Sequence, residues 1–120
     1  MRIAEAAAQC GSSIDTIRYY ERTGLMPAVE RAPDGCRRFS PENVEWLTLL
    51  ASLRDTRMPM KKMRRFAGLY REGNGSVADR KQMLLEHSEH LARERALLDR
   101  CAELLAYKLE RYDDILEGPA

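Results

Sequence analysis

A mostly α-helical fold is predicted for this chain: a winged helix-turn-helix at the N-terminus, two supporting helices, and a long C-terminal helix with a coiled-coil seam. Three observations predict it. An Ala-rich segment and a capped segment, Ser13 to Glu21, are separated by a turn containing Gly. Asp34-Gly35 lies between short extended flanks and is followed at once by paired arginines. Residues 76–116 contain neither Gly nor Pro, and an apolar residue recurs along them at every seventh position.

Residues 2–9 are rich in Ala, the strongest helix former, with Ile3, Ala7 and Ala6 as the inward stripe. Cys10-Gly11-Ser12 breaks that helix, because Gly11 can adopt the left-handed backbone of a sharp turn. Ser13 is a suitable N-cap for the next helix, and Asp15 suits the positive end of its dipole. Ile14 and Ile17 share the inner side and, with Ile3 and Ala7, form the minimal core of a helix-turn-helix. Gly24-Leu25-Met26-Pro27 ends the second helix. Over 28–39 the Asp34-Gly35 turn predicts a small hairpin, a wing carrying Arg37 and Arg38 beside Phe39.

Ser40-Pro41-Glu42 starts a third helix that runs to about Asp55. Val44, Leu47, Leu50, Ala51 and Leu53 form its buried stripe, with Trp46 at the margin. A fourth helix opens at Met58-Pro59-Met60, and Met60, Met63, Phe66 or Ala67, and Tyr70 are read as core. Arg57, Lys61, Lys62, Arg64 and Arg65 surround that stripe as the most basic patch of the chain. Residues 1–72 thus make one domain. Gly73-Asn74-Gly75 is expected to be a flexible linker, and Ser76 with Asp79 a capping box.

The last helix, over 76–116, spans roughly 40 residues, or about 60 Å, and leaves a short tail at 117–120. Val77, Leu84, Leu91, Leu98, Leu105 and Tyr112 hold a strict heptad, which specifies a left-handed coiled coil. No second long helix exists for this one to fold against, so the seam calls for a second copy of the chain. The companion positions Arg80, His87, Glu94, Cys101 and Lys108 would stack like on like in a parallel pair. An antiparallel homodimer avoids most of that repulsion.

Composition narrows the function classes. Charged residues make up 32% of the chain and aromatics only 7%, a balance that suits long solvated helices. The net charge of +1 hides an asymmetry. Residues 1–72 hold 13 Lys and Arg against 9 Asp and Glu, a surplus of +4, whereas residues 73–120 hold 7 against 10, or −3. An anionic partner would therefore meet the front half. Thr16, Arg18 and Tyr19 offer a hydroxyl, a fork of donors and a phenol on one short helix, which is what a DNA groove requires. No run is apolar enough to cross a bilayer and no leader is evident, so a cytoplasmic location is expected. Cys10, Cys36 and Cys101 lie far apart without a C-x-x-C pair, which supports neither a disulfide framework nor a zinc ribbon. Paired carboxylates, a nucleophile–base set and a phosphate-cradling loop are all missing, so neither catalysis nor a cofactor is expected.

The chain resembles MerR-family transcription regulators over nearly its whole length. The residues that carry the likeness are Arg2-Ile3-Ala4-Glu5-Ala6-Ala7, Gly11, Ser13, Thr16-Ile17-Arg18-Tyr19-Tyr20-Glu21, Gly24-Leu25-Met26-Pro27 and Gly35-Cys36-Arg37-Arg38-Phe39-Ser40. The resemblance implies a winged helix-turn-helix DNA-binding domain with a long antiparallel coiled-coil dimerisation helix. It implies a homodimer on a pseudo-palindromic promoter operator in double-stranded DNA. Such a dimer distorts the duplex so that RNA polymerase can engage −35 and −10 elements that lie too far apart. Carried onto this chain, Thr16, Arg18 and Tyr19 belong to the DNA-reading helix, with Ser13 at its start, and Arg37 and Arg38 to the wing; Lys61, from its charge in the basic patch, is a further expected phosphate contact. Tyr20 either joins them or packs inward. Leu84, Leu91, Leu98, Leu105 and Tyr112 form the dimer seam.

Several positions depart from the family pattern. Cys36 stands where an aromatic is usual, Ala6 where a larger apolar residue is common, and Arg57 and Pro59 replace Gly and Ser. Lys61-Lys62 replaces an acidic pair. Metal-sensing members need cysteines at both ends of the long helix, and neither Ser76-Val77-Ala78-Asp79 nor 112–120 contains one, so no metal is expected. The expected place of a sensor thiol in other short members holds Ser52. Cys101 is then the remaining candidate for an effector or redox site, although a lone Cys on a seam is usually a small apolar residue. His87 and His90 are read as polar helix positions, and no residue pattern names an effector. Two other functions compete: an architectural, excisionase-like DNA-bending protein, and a helical protein-interaction module.

Overall fold

Gly11 stops the first helix, α1 (Ile3–Cys10), in a left-handed conformation with φ 74°, its N–H donating to the Ala7 carbonyl. The computed structural model describes residues 1–118. α2 (Ile14–Arg22) begins at Ser13, whose hydroxyl accepts from the Thr16 N–H at 3.1 Å. It ends where Leu25 and Met26 turn back to donate to the Tyr20 carbonyl. The core of this pair differs from the expectation. Ala6, Ala7, Cys10 and Ile17 are buried, while Ile3 and Ile14 are only half-buried. The small residues of α1 allow its close packing against α2 and against the helix that begins at Pro41.

Between α2 and the third helix the expected hairpin reduces to one antiparallel bridge, Arg31 to Arg37, and no strand forms among the described residues. Ala32 donates to Cys36 at 2.7 Å, Arg38 to Glu30 at 2.7 Å, and Gly35, at φ 86°, closes the turn onto Ala32. The ladder stays short for a local reason. The Cys36 N–H is taken by the Asp34 carboxylate at 3.0 Å, and Pro33 has no N–H to give. Phe39, fully buried, donates its N–H to the Met1 carbonyl and ties the loop to the chain start.

α3 (Pro41–Asp55) has a reciprocal cap, Asn43 N–H to the Ser40 hydroxyl and Ser40 N–H to the Asn43 side chain. Leu47, Leu50, Ala51 and Leu53 are buried as expected, but Trp46 is not marginal. It is 7% exposed, stacks on Phe66 at 5.4 Å and lies 4.4 Å from the Tyr70 ring. Its indole N–H donates to the Leu25 carbonyl at 2.9 Å, which lets so large a side chain go inside without an orphaned donor. α4 (Met60–Arg71) packs on α3 through Met63, Phe66 and Ala67, all buried.

Arg57, in the turn between α3 and α4, has φ 69°, the only positive value at a non-Gly residue among those described. A left-handed conformation costs an L residue about 1–2 kcal/mol. Arg57→Gly is therefore expected to stabilise the fold by roughly 0.5–1 kcal/mol, after the added freedom of the unfolded chain is counted. A higher urea midpoint at unchanged slope would show it. A lower midpoint would mean that the arginine side chain contributes contacts that outweigh its backbone.

The linker expected at 73–75 is instead ordered as part of a 3-10 turn, Asn74–Ser76. Nor does Ser76 form the expected capping box with Asp79. It is buried, its hydroxyl set against the carbonyls of Leu69 and Gly73, and it accepts from Arg80 Nε at 3.0 Å. α5 (Val77–Glu117) follows as 41 continuous helical residues. The chain divides into two compact units, Met1–Met83 and a second beginning at Leu84, so the division falls inside α5 rather than at the Gly-rich turn. None of the α5 residues is buried. Of the expected tail at 117–120, Glu117 closes the helix and Gly118 is described, whereas Pro119 and Ala120 lie outside the described residues.

Candidate nucleic-acid interface

The solvent face of α2 is set by its buried residues. Ile17 and Tyr20 point inward, so Asp15, Arg18, Tyr19 and Arg22 face outward with Thr16 at one edge. Arg18 is exposed and only loosely held, 3.9 Å from Asp15, which leaves most of its donors available. Thr16 and Tyr19 are half-exposed. The Ser13 and Thr16 hydroxyls bond to each other at 2.8 Å, so Ser13 serves chiefly as cap and as partner of Thr16. Arg22 was missed in reading the sequence. It is exposed, four residues beyond Arg18 on the same face, with its guanidinium 5.8 Å from the Tyr19 ring centre. The i, i+4 spacing from Arg18 was the signal that could have found it.

Two residues expected among the DNA contacts have other employment. Tyr20 is 1% exposed, and its hydroxyl accepts from Arg54 Nη1 at 3.2 Å. Burial pushes its phenol above the ordinary tyrosine range, against the lowering effect of the nearby Arg54 charge. The reason lies in the helical period: Tyr20 follows Ile17 by three positions and shares its inner face. Arg37 donates through Nε to Glu21 Oε2 at 3.0 Å, with side chains only 30% and 18% exposed. It is a brace between the loop and α2 rather than a free cation. Arg38 points outward on the same loop and makes no ion pair among the described residues. At the loop tip Asp34 lies 3.8 Å from Arg2, and the Cys36 backbone N–H holds its carboxyl below the usual range.

On the α3–α4 turn and α4, Arg57, Lys61, Lys62, Arg64 and Arg65 are all exposed, and none is ion-paired among the described residues. α4 has no acidic residue in its first turn. Five cations without an internal counter-ion make a surface suited to a polyanion.

On α5, Leu98, Leu105 and Tyr112 are 66%, 58% and 52% exposed, Leu91 is exposed and Leu84 half-exposed. Lys108 lies over the Tyr112 ring at 5.1 Å. Cys101 is exposed with a free thiol. His87 and His90 have ring centres 5.9 Å apart, and His90 is 4.0 Å from Glu94. No group of three or more His, Cys, Asp or Glu side chains could hold a metal ion among the described residues. Among the described residues no helix is long and apolar enough to cross a membrane.

The profile of the MerR HTH family of regulatory proteins matches residues 1–67, more than half of the chain. The chain belongs to the MerR family. An uncharacterised HTH-type transcriptional regulator of Haemophilus influenzae is 36% identical over 109 residues, covering 91% of this chain and 81% of that protein. A mercuric resistance operon regulatory protein of Bacillus cereus is 30% identical over 121 residues, covering 98% and 92%. Among solved structures, HiNmlR, a MerR-family regulator lacking the sensor domain and bound to promoter DNA, superposes with a TM-score of 0.85. It is 33% identical and covers 98% of this chain and 93% of its own. Family membership agrees with the order of elements, a helix-turn-helix followed by two helices and one long helix, seen in this MerR chain.

Proposed function

We propose that this MerR-family chain is a sequence-specific transcription regulator, a homodimer that binds a pseudo-palindromic promoter operator. The observation that carries it is the outward face of α2, where Arg18 and Arg22 are exposed and Thr16 and Tyr19 half-exposed around a buried Ile17 and Tyr20. Arg18 reads base edges. Arg38 and the exposed Arg57, Lys61 and Lys62 hold phosphates. The likeness to a regulator solved on promoter DNA supports this assignment.

The dimer forms through the unburied heptad of α5. Antiparallel pairing is favoured by charge, since it brings Glu94 of one helix toward the Lys108 end of the other instead of stacking each on its copy. Two heads held at fixed separation on an inverted repeat can impose a bend or untwisting on the duplex between them. RNA polymerase would then find the −35 and −10 elements aligned. The site of action is the bacterial cytoplasm, at the nucleoid.

Two substitutions test the interface. Arg18→Ala is expected to lower operator affinity by about 1–3 kcal/mol and to relax base preference at one position of each half-site. Arg38→Ala is expected to weaken binding to every sequence and to reduce the slope of log K against log salt by about one per protomer. Mobility shifts across a salt series read both. An unchanged slope for Arg38→Ala would remove the loop from the interface, and no shift at low salt for the native chain would favour a protein-interaction module.

A further inference from the structure

Arg80 occupies a seam position in the heptad pattern, yet its side chain is engaged within its own chain. Its Nε donates to the Ser76 hydroxyl at 3.0 Å and its Nη2 to the Gly73 carbonyl at 3.4 Å. Its guanidinium also lies 5.2 Å over the Tyr70 ring. From Tyr70 the contacts continue inward. The Tyr70 ring is 4.4 Å from Trp46, and the Trp46 indole donates at 2.9 Å to the Leu25 carbonyl, just past the end of α2. One residue earlier, the Gly24 carbonyl accepts from Arg71 of α4. The backbone carbonyls that follow the reading helix are thus held by side chains of α3 and α4, and those helices are tied through Tyr70 and Ser76 to the first turn of α5. All these residues belong to the unit Met1–Met83.

We propose that Arg80 is a positioning residue that locks the start of the dimerisation helix to the end of the reading helix, and so sets the half-site spacing the dimer accepts. This rests on the dimeric DNA-binding function proposed above. A guanidinium suits the task because it reaches a hydroxyl, a carbonyl and a ring face at once, whereas an ammonium on a flexible stem is a point charge. Loosening the lock lets each head pivot on its α5. Binding to the preferred spacing then falls, and neighbouring spacings lose less.

The test compares the native chain with Arg80→Met, Tyr70→Leu and Arg80→Lys. The probes are the inverted-repeat duplex that the native chain enriches from a random pool and copies with a base pair inserted or removed between half-sites. Arg80→Met and Tyr70→Leu should each lower affinity for the preferred spacing by roughly 3- to 30-fold, flatten the spacing profile and leave the salt slope unchanged. Arg80→Lys should restore part of the peak. Uniform loss at every spacing, an unchanged profile in both variants, or a salt slope reduced by about one would each overturn the proposal. Tyr70 is 38% exposed and leucine keeps an apolar side chain beside Trp46, so Tyr70→Leu, checked for native dichroism, tests the lock even where Arg80→Met folds poorly. A native chain with no spacing optimum would remove the dimeric reading first, and the lock with it.

Discussion

The double substitution Leu98→Glu and Leu105→Glu is expected to leave a folded N-terminal unit that sediments as a monomer and has lost operator binding by about three orders of magnitude. Both leucines stand largely in water in the single chain, 66% and 58% exposed, on a helix with no buried residue. Each leucine removed from water contributes roughly 1.5–3 kcal/mol, and a dimer buries four of them at these two positions. Replacing them with carboxylates removes that term and adds the several kcal/mol needed to desolvate each charge. The DNA consequence is larger than the loss of contacts on either head. In a dimer the second half-site binds as an intramolecular event, a gain of roughly 10²–10⁴ in affinity. Sedimentation, far-ultraviolet dichroism and mobility shift on the same samples separate the effects. A monomer that still bound the inverted repeat as tightly as the native chain would show that the seam has no part in recognition.

Trp46→Ala is expected to destabilise the N-terminal unit by about 3–5 kcal/mol. That is a large fraction of the stability of a small domain. The indole is buried against the Phe66 and Tyr70 rings, so its removal leaves a cavity beside both. Its loss also removes the indole donor to the Leu25 carbonyl, and an unsatisfied buried acceptor costs about 1–3 kcal/mol. Trp46→Phe separates the two parts, since it keeps a ring in the stack and removes the donor. Urea unfolding followed by dichroism measures both, because the only tryptophan is the residue removed. A cost for Trp46→Ala below about 1 kcal/mol would mean that Trp46 does not organise this core.

The features legible in the sequence were those decided within one or two turns of chain. The Ser13 and Ser40 caps, the Gly11 stop and the uninterrupted heptad of α5 each depend on neighbours three to seven residues away. What escaped depends on partners far along the chain. Arg37 looked like a free cation beside Arg38 because its partner, Glu21, lies on another element. Trp46 looked marginal because the carbonyl that makes its burial tolerable belongs to Leu25. Arg80 was counted in the seam because its period fits, although Ser76 and Tyr70 claim it. Tyr20 is a different case. Its place three residues after Ile17 was enough to put it inside, and only the family resemblance left it open as a DNA contact. The basic patch of α4 was visible as a run of residue types, but only the structure shows that no acidic side chain among the described residues neutralises it.

Two heads joined by one paired helix should read DNA with twofold symmetry, and that can be measured without knowing any target gene. The native protein should be incubated with a random duplex pool at near-physiological salt, and the bound fraction sequenced through successive rounds. Enrichment of an inverted repeat, its halves a fixed distance apart, is the result predicted here. Enrichment of a single unrepeated half-site, or of nothing beyond the input pool, would contradict it.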